Sequence, residues 1–280
     1  MLAYRHAFHA GSHADVLKHL VLAQVLRHMA GKDKPFTLID THAGAGGYSL
    51  LGRYAQKNAE HARGIGLLWT RTDLPPIVAD YVALVRRFNP DGALAQYPGS
   101  PSLALLLLRP QDELRAFELH PTEQKILRAT LAGNRRASAI DGDGFAGLRS
   151  QLPPPTRRGA VLIDPSYEGN ADYAKVVSTL RDATTRFTDG VYVVWYPQVS
   201  KVEAAELPRR LAALAPKGWL HARLTVQEAD ARGFGLAGSG VFVLNPPHTL
   251  HAALAATLPY LVEVLGRFAG AGFLLDRAGG

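Results

Sequence analysis

The stretch Leu38-Ile39-Asp40-Thr41-His42-Ala43-Gly44-Ala45-Gly46-Gly47 joins a short apolar run to a glycine-rich loop. The run is typical of a buried strand, and α/β sheets carry cofactors in loops that follow their strands. Gly44 and Gly46 permit a tight turn and a close approach of the backbone to a ligand. A dinucleotide-binding fingerprint would require glycine where the chain has Ser49. The stretch therefore favours an α/β fold with a cofactor loop, the alternative being a plain turn between strand and helix.

Around this stretch, short apolar runs alternate with segments of helical period, which is the pattern of a parallel sheet with helical crossovers. Strands are predicted at residues 36–40, 115–119, 137–140, 160–164, 191–195, 219–226 and 241–244, and helices at 123–131, 173–187 and 202–214. Residues 227–240 link the last two strands through four glycines without a helical period, so these strands are predicted to pair antiparallel. We expect seven strands, mostly parallel with the last antiparallel, in a single domain over residues 1–280.

Residues 48–97 interrupt this alternation and are predicted to form a small helical insertion without a strand. Asp73 as N-cap, with a proline in the first turn, starts a helix whose apolar stripe runs from Ile77 to Phe88.

Composition excludes several classes of protein. The chain has 280 residues, 47% of them hydrophobic, so it can bury a large core, and it has no cysteine for a disulfide, a thiolate metal site or a nucleophile. The amino terminus lacks the apolar region of a signal peptide, and the run 103–108 is too short to span a bilayer, so we expect a soluble, cytoplasmic protein. Its net charge of +7 either keeps the protein in solution or indicates that it binds a polyanionic partner.

Acidic residues follow two further predicted strands. Glu118 ends the second strand, where a carboxylate can accept the hydroxyls of a ribose, and Asp143-Gly144 follows the third, in reach of an adenine. Taken singly, Glu118 could be a surface or capping acid and Asp143 part of an ordinary turn. Because the carboxyl ends of parallel strands share one edge, together they predict a nucleoside pocket beside the glycine loop.

The reactive motif is predicted at Asp164-Pro165-Ser166-Tyr167, after the fourth strand. The Asp164 carboxylate and the Pro165 carbonyl can accept hydrogen bonds from an exocyclic amine, which keeps its lone pair available for attack. The Tyr167 ring offers a face on which a flipped-out base could stack. The alternative is a turn that only ends the strand.

With these motifs the chain resembles the class I, S-adenosylmethionine-dependent adenine-N6 methyltransferases, and specifically the RlmJ family that acts on bacterial 23S ribosomal RNA. The amino-terminal residues 4–19 carry the most specific resemblance. Further matches are residues 40–46, 97–101, 118–121, 157–159, 195–197 and 245–247. The resemblance implies a Rossmann-like class I methyltransferase sheet and methylation of the N6 amine of one adenine, which yields S-adenosylhomocysteine.

Site residues follow from the resemblance by position. It implies that Lys18, His19, His42, Gly44, Gly46, Ser100, Glu118, Asp143, Gly144 and Asp164 contact the cofactor, that Asp164, Pro165 and Tyr167 are catalytic, and that Tyr4, Ser166 and Tyr167 contact RNA. Ser166 departs from the family, which usually has a second proline there, so the turn is less restricted.

The expected partner is naked or early-assembly 23S ribosomal RNA, bound by a monomer without a membrane. No metal is expected, although five of the eleven histidines lie within residues 1–28, because transfer from a sulfonium needs none. The excess positive charge is predicted around the mouth that holds Asp164 and Tyr167. Two alternatives stay open: a DNA adenine-N6 methyltransferase, and a non-catalytic RNA-binding factor of ribosome assembly.

Overall fold

A computed structural model describes residues 5–229 and 235–279 of the chain. Within them the strands are β1 Thr37–Asp40, β2 Gly47–Ser49, β3 Gln96–Pro98, β4 Glu113–Glu118, β5 Ala137–Asp141, β6 Gly159–Ile163, β7 Val191–Gln198, β8 Trp219–Thr225, β9 Gly238–Leu244 and β10 Gly272–Ala278. The α-helices are α1 His13–Ala30, α2 Arg53–Asn58, α3 Ile65–Trp69, α4 Pro76–Arg87, α5 Ser100–Leu105, α6 Pro121–Thr130, α7 Gly144–Gln151, α8 Ala171–Arg186, α9 Val202–Ala212 and α10 Leu250–Leu265. Two short 3-10 helices cover His6–Phe8 and Glu60–Arg63.

The main sheet has the strand order β10-β8-β9-β7-β6-β1-β4-β5. From β5 to β7 every neighbouring pair is parallel, whereas β9 runs antiparallel to both β7 and β8. The seven predicted strands are therefore present, and the mostly parallel α/β sheet with an antiparallel β9 is confirmed. The sheet nevertheless has eight strands, because β10 pairs antiparallel with the outer side of β8.

Two elements near the chain ends, α1 and β10, are not predicted from the sequence, and each omission has a physical reason. Strand β10 lies at an edge and is mostly exposed or half-buried, so it lacks a long apolar run. Helix α1 is buried on nearly all sides, between the sheet and helices α4, α5 and α10. A helix buried all round shows no polar stripe, so the periodicity that reveals a surface helix is missing.

The segment 48–97 is mainly helical and contains α2, α3 and α4. The predicted helix is confirmed as α4, but Pro75 stands at its N-cap and Asp73 pairs instead with Arg71, whose Nε donates to Oδ1 over 2.8 Å. The prediction of no strand is wrong, because β2 and β3 close the segment as an antiparallel pair with Tyr48 opposite Tyr97. That the segment is an inserted subdomain stays a prediction.

Candidate active site at the carboxyl edge of the sheet

A cavity of about 610 Å³ lies where α1 meets the loops that follow β1, β4, β5 and β6 and the second half of β7. Eleven of the predicted site residues form part of its wall: Lys18, His19, His42, Gly44, Ser100, Glu118, Asp143, Gly144, Asp164, Pro165 and Ser166. Gly46 and Tyr167 are not at this wall. Tyr4 lies outside the described residues, as does Gly233 of the link between the last two predicted strands.

The glycine loop meets the end of β4 through one carboxylate. Gly44 has a φ of +60°, and its amide donates to Glu118 Oε2 over 2.8 Å. The amide of His120 donates to Oε1 over 2.6 Å, so Glu118 bridges two loops. Burial raises the pKa of Glu118 despite these bonds. Gly46 is turned away from the cavity, because a Cβ there would meet Leu127 and Thr130 of α6.

The loop after β5 forms the adjoining wall. The Asp143 carboxylate caps α7 by accepting from the Phe145 amide over 2.9 Å. A Cβ at Gly144 would collide with the carbonyl oxygen of Thr41, so only glycine lets the two loops approach. The His42 ring packs edge-on against Phe145 at 4.6 Å, and burial lowers its pKa to about 4.

Asp40, which the sequence analysis did not assign to the site, ends β1 in the protein interior. Its Oδ2 accepts from the Ser100 hydroxyl over 2.6 Å, and its Oδ1 from the His42 amide over 3.3 Å. Burial raises the pKa of Asp40 to about 7. The Ser100 hydroxyl is therefore committed to Asp40 in this structure, and Ser100 reaches the cavity as part of the turn that holds this acid.

A chain of close polar contacts runs from the reactive motif to the amino-terminal residue His6. Lys18 Nζ lies 2.6 Å from Asp164 Oδ2 and 2.8 Å from Asp15 Oδ1, and Asp15 Oδ2 lies 2.9 Å from His6 Nε2. Burial raises the pKa of Asp164, although Lys18 opposes the shift. Burial also favours a higher pKa for Asp15, but His6 and Lys18 outweigh burial and hold the pKa of Asp15 well below its usual value. The sequence analysis missed Asp15 and His6, although Asp15 precedes Lys18 by one helical turn.

The Tyr167 ring does not present the stacking face predicted from the sequence. Tyr167 has a φ of +53°, is 4% exposed, and packs against Tyr173 with ring centroids 4.6 Å apart. Its hydroxyl donates to the Trp195 carbonyl over 2.8 Å. Three aromatic residues line the cavity wall (Tyr48, Phe145 and Trp195), and the Trp195 ring centroid lies 5.7 Å from Lys18 Nζ.

The cavity wall does not carry the excess positive charge predicted for this mouth. Of its charged side chains, four are Lys or Arg (Lys18, Arg63, Lys175, Arg267) and seven are carboxylic acids (Asp15, Glu60, Glu118, Glu123, Asp143, Asp164, Asp172). An acidic wall suits a ligand that is itself cationic. Among residues 5–229 and 235–279, no cluster of three or more His, Asp or Glu is arranged to hold a metal ion, and no helix is long and apolar enough to cross a bilayer.

Comparisons with known proteins converge on one family. Residues 33–274 match the family described as "Ribosomal RNA large subunit methyltransferase D, RlmJ". Ribosomal RNA large subunit methyltransferase J of Escherichia coli is 43% identical over 262 residues, 93% of each chain, and that of Haemophilus influenzae is 41% identical over 95% of this chain and 94% of its own. A crystal structure of a Legionella pneumophila protein superposes with a TM-score of 0.88 at 33% identity, covering 97% of this chain and 98% of that one.

Proposed function

Since the chain belongs to the RlmJ family of ribosomal RNA large subunit methyltransferases, we propose that it methylates the N6 amine of one adenine in 23S ribosomal RNA. S-adenosylmethionine, when bound, supplies a methyl group on a sulfonium that is already activated for transfer. The family match and the two relatives support the more general conclusion that the chain is a methyltransferase of large-subunit ribosomal RNA. The choice of the adenine amine rests on the residues at the end of β6.

The observation that carries this choice is the position of Asp164 and Pro165 together at the cavity wall. An amino group placed there can donate to the Asp164 carboxylate and to the Pro165 carbonyl. Lys18 holds Oδ2 of Asp164, so the carboxylate is fixed in place and Oδ1 can face the amine. Two acceptors that take the N–H groups leave the nitrogen lone pair directed at the methyl group, and orientation of this kind is the main source of rate when the donor is already activated. As the N–C bond would form, the bond between the donor sulfur and the methyl carbon would break, S-adenosylhomocysteine would leave, and the amine would lose one proton to Asp164 or to solvent.

The same wall fits the donor. We assign the ribose hydroxyls to Glu118, which already accepts from two backbone amides and has further lone pairs, and the adenine to the Asp143-Gly144 turn. The absence of Cβ at Gly44 and Gly144 lets backbone line the cavity closely, and the seven carboxylic acids suit a sulfonium cation. The wall has more carboxylic acids than cations, so we assign most of the RNA phosphate contacts to cations beyond it.

Stacking of the flipped adenine on Tyr167 requires that its ring leave the core. The movement breaks the hydrogen bond to the Trp195 carbonyl and the packing on Tyr173. Stacking returns about 1–3 kcal/mol for one base, whereas removing a buried aromatic ring from a core costs about 3–5 kcal/mol, so further contacts with the RNA must supply the difference. Ser166 in place of proline makes the turn easier to rearrange, so we assign to Tyr167 the stacking role in the RNA-bound state.

The test of the proposed function is methyl transfer to a protein-free 23S RNA transcript, with a labelled methyl group on the donor. We expect the label as N6-methyladenine at a single position when the RNA is mapped by mass spectrometry. Transfer to duplex DNA instead would support the DNA enzyme. Binding of S-adenosylmethionine without any transfer to RNA would support the non-catalytic assembly factor.

The variant Glu118→Gln tests the donor site. The amide NH₂ cannot accept from Gly44 or His120, and the lost charge-assisted bonds should weaken binding of S-adenosylhomocysteine about 10- to 100-fold by titration calorimetry. Glu113→Gln is the matched control, because Glu113 begins the same strand outside the cavity wall and its side chain is 53% exposed. If both variants bound S-adenosylhomocysteine with the same affinity, the assignment of Glu118 to the donor site would be wrong.

A further inference from the structure

Three buried side chains form a line from the cavity wall into the segment 48–97. Tyr97 Oη lies 2.8 Å from His19 Nδ1 and 2.8 Å from Tyr81 Oη, and the His19 and Tyr97 rings stack with centroids 5.5 Å apart. His19 belongs to α1, Tyr97 to β3 and Tyr81 to α4. All three are at most 1% exposed. The hydrogen bonds therefore join three elements that the chain brings together only through folding.

The protons in this line can be counted. Burial lowers the pKa of His19 to about 3, so its ring is neutral and carries one proton. Burial raises the pKa of Tyr97 and of Tyr81 well above the usual value, so both stay hydroxyls. Three protons are thus shared among two oxygens and two ring nitrogens.

Only one arrangement of donors uses the protons of both hydroxyl groups. If His19 donated from Nδ1, Tyr97 would give its proton to Tyr81, and the Tyr81 hydroxyl would point into the core; within the described residues its one hydrogen-bond partner is Tyr97. A buried hydroxyl without an acceptor is costly. In the opposite direction Tyr81 donates to Tyr97 and Tyr97 donates to Nδ1, and both hydroxyl protons are used.

This direction places the ring proton on Nε2. Across residues 5–229 and 235–279, His19 Nε2 is buried and has no hydrogen-bond partner. His19 nevertheless lines the cavity, and with Nδ1 taken by Tyr97, Nε2 is the nitrogen that can reach a bound molecule. The wall thus holds a preset N–H donor without an acceptor.

We propose that Tyr97 and Tyr81 are positioning residues that fix His19 as an Nε2–H donor to an oxygen of bound S-adenosylmethionine. The carboxylate of its amino-acid part is the strongest acceptor that this molecule offers. The inference rests on the proposed function for the identity of the donor molecule. It adds that α4, which contributes no residue to the cavity wall, sets the hydrogen-bonding state of the donor site.

The first measurement is the ¹⁵N spectrum of His19 in the whole protein, which reads the tautomer directly and needs no activity. We expect a protonated Nε2 and an unprotonated Nδ1, unchanged by the binding of S-adenosylhomocysteine. A proton on Nδ1 would overturn the proposal even if the protein methylates RNA. Failure of methyl transfer with the expected tautomer would overturn the proposed function instead.

The second measurement compares Tyr97→Phe with two ligands. Loss of the Tyr97 hydroxyl should weaken S-adenosylhomocysteine binding about three- to tenfold, because Nδ1 no longer has a donor and the ring can take either tautomer. Methylthioadenosine, which lacks the amino-acid part, should bind as it does to the unchanged protein. An equal loss for both ligands, or no loss for either, would contradict the proposal.

Two further variants keep the result interpretable. Tyr81→Phe leaves the Tyr97 hydroxyl in place, so we expect a smaller loss of about twofold and a mixed His19 spectrum. If Tyr97→Phe fails to fold, this variant and the spectrum of the unchanged protein decide the question. Tyr192→Phe is the matched control, because it removes a buried hydroxyl in the other core cluster that donates to the Ala183 and Phe187 carbonyls, and it should leave both affinities unchanged.

Discussion

Replacing Asp164 with asparagine is expected to lower the single-turnover rate of methyl transfer about 10²- to 10⁴-fold, the range associated with loss of a positioned acid–base group. Asparagine keeps the shape of the side chain and one acceptor oxygen. It loses the negative charge that holds Lys18 at 2.6 Å and the capacity to take up the amine proton at neutral pH. Binding of S-adenosylhomocysteine should largely persist, because Glu118 and the glycine loop are unchanged.

The control for this variant is Asp172→Asn. Asp172 lies at the wall of the same cavity, but its side chain contacts Lys175 only at 4.0 Å and the reactive motif does not include it. The rate of Asp172→Asn should stay within a small factor of the unchanged enzyme. A fully active Asp164→Asn enzyme would exclude the proposed role of Asp164.

Replacing Lys18 with methionine should produce the largest loss of stability. The Lys18 side chain is 5% exposed and stands between Asp15 and Asp164, and its removal leaves two buried carboxyl groups without their shared cation. Breaking a buried pair in this way costs about 3–5 kcal/mol of the free energy of unfolding. Denaturant unfolding at neutral pH measures the loss directly.

The loss should depend on pH with a definite sign. In the unchanged protein, the pKa of Asp15 is held low, so its contribution is present above the unfolded pKa and lost only as the pH falls through the folded pKa. Burial raises the pKa of Asp164 in both proteins, and Lys18→Met removes the lysine that opposes this rise, so the variant loses more stability as the pH rises above the unfolded value of about 4. The difference between the two proteins should therefore be larger at about pH 7 than at about pH 5.

The matched control is Lys175→Met, the same change at the same cavity. Lys175 has a side chain that is 53% exposed, and its ion pair spans 4.0 Å. Exposed pairs of this kind contribute about 0–1 kcal/mol, so this variant should unfold close to the unchanged protein at every pH. Equal stabilities for Lys18→Met and Lys175→Met would contradict the role assigned to the buried cluster.

Most of the fold could be predicted because buried parallel strands are apolar along their whole length. Strand β6, for example, is buried at every residue and stands out in the sequence. The strand ends then predict the site, since Gly44 and Asp164 follow strands, Glu118 ends one, and the carboxyl ends of these strands meet at the same edge. Strand β10 lacks such a signal because it is too little buried, and helix α1 lacks one because it is buried on nearly all sides.

The parts of the site that escaped prediction depend on distant contacts. Lys18 and Asp164 are 146 positions apart, and no local sequence pattern indicates that the charge of one neutralises the charge of the other. The direction of the Tyr167 ring depends on its positive φ, which turns the side chain into the core rather than toward the cavity. For a residue that is not glycine, such a backbone angle is set by packing and is not visible in the motif.

Strand β10 has a consequence for the behaviour of the protein at high concentration. Strand β8 pairs along all seven of its residues with β10 on one side and β9 on the other. Without β10, the outer edge of β8 would expose a row of unpaired amide and carbonyl groups, which is a template for aggregation between molecules. Strand β10 takes over that edge and carries Asp276 and Arg277 near its end, and charged side chains at an edge oppose the addition of another strand. The eighth strand thereby works against aggregation of the enzyme, at the end of the sheet farthest from β5.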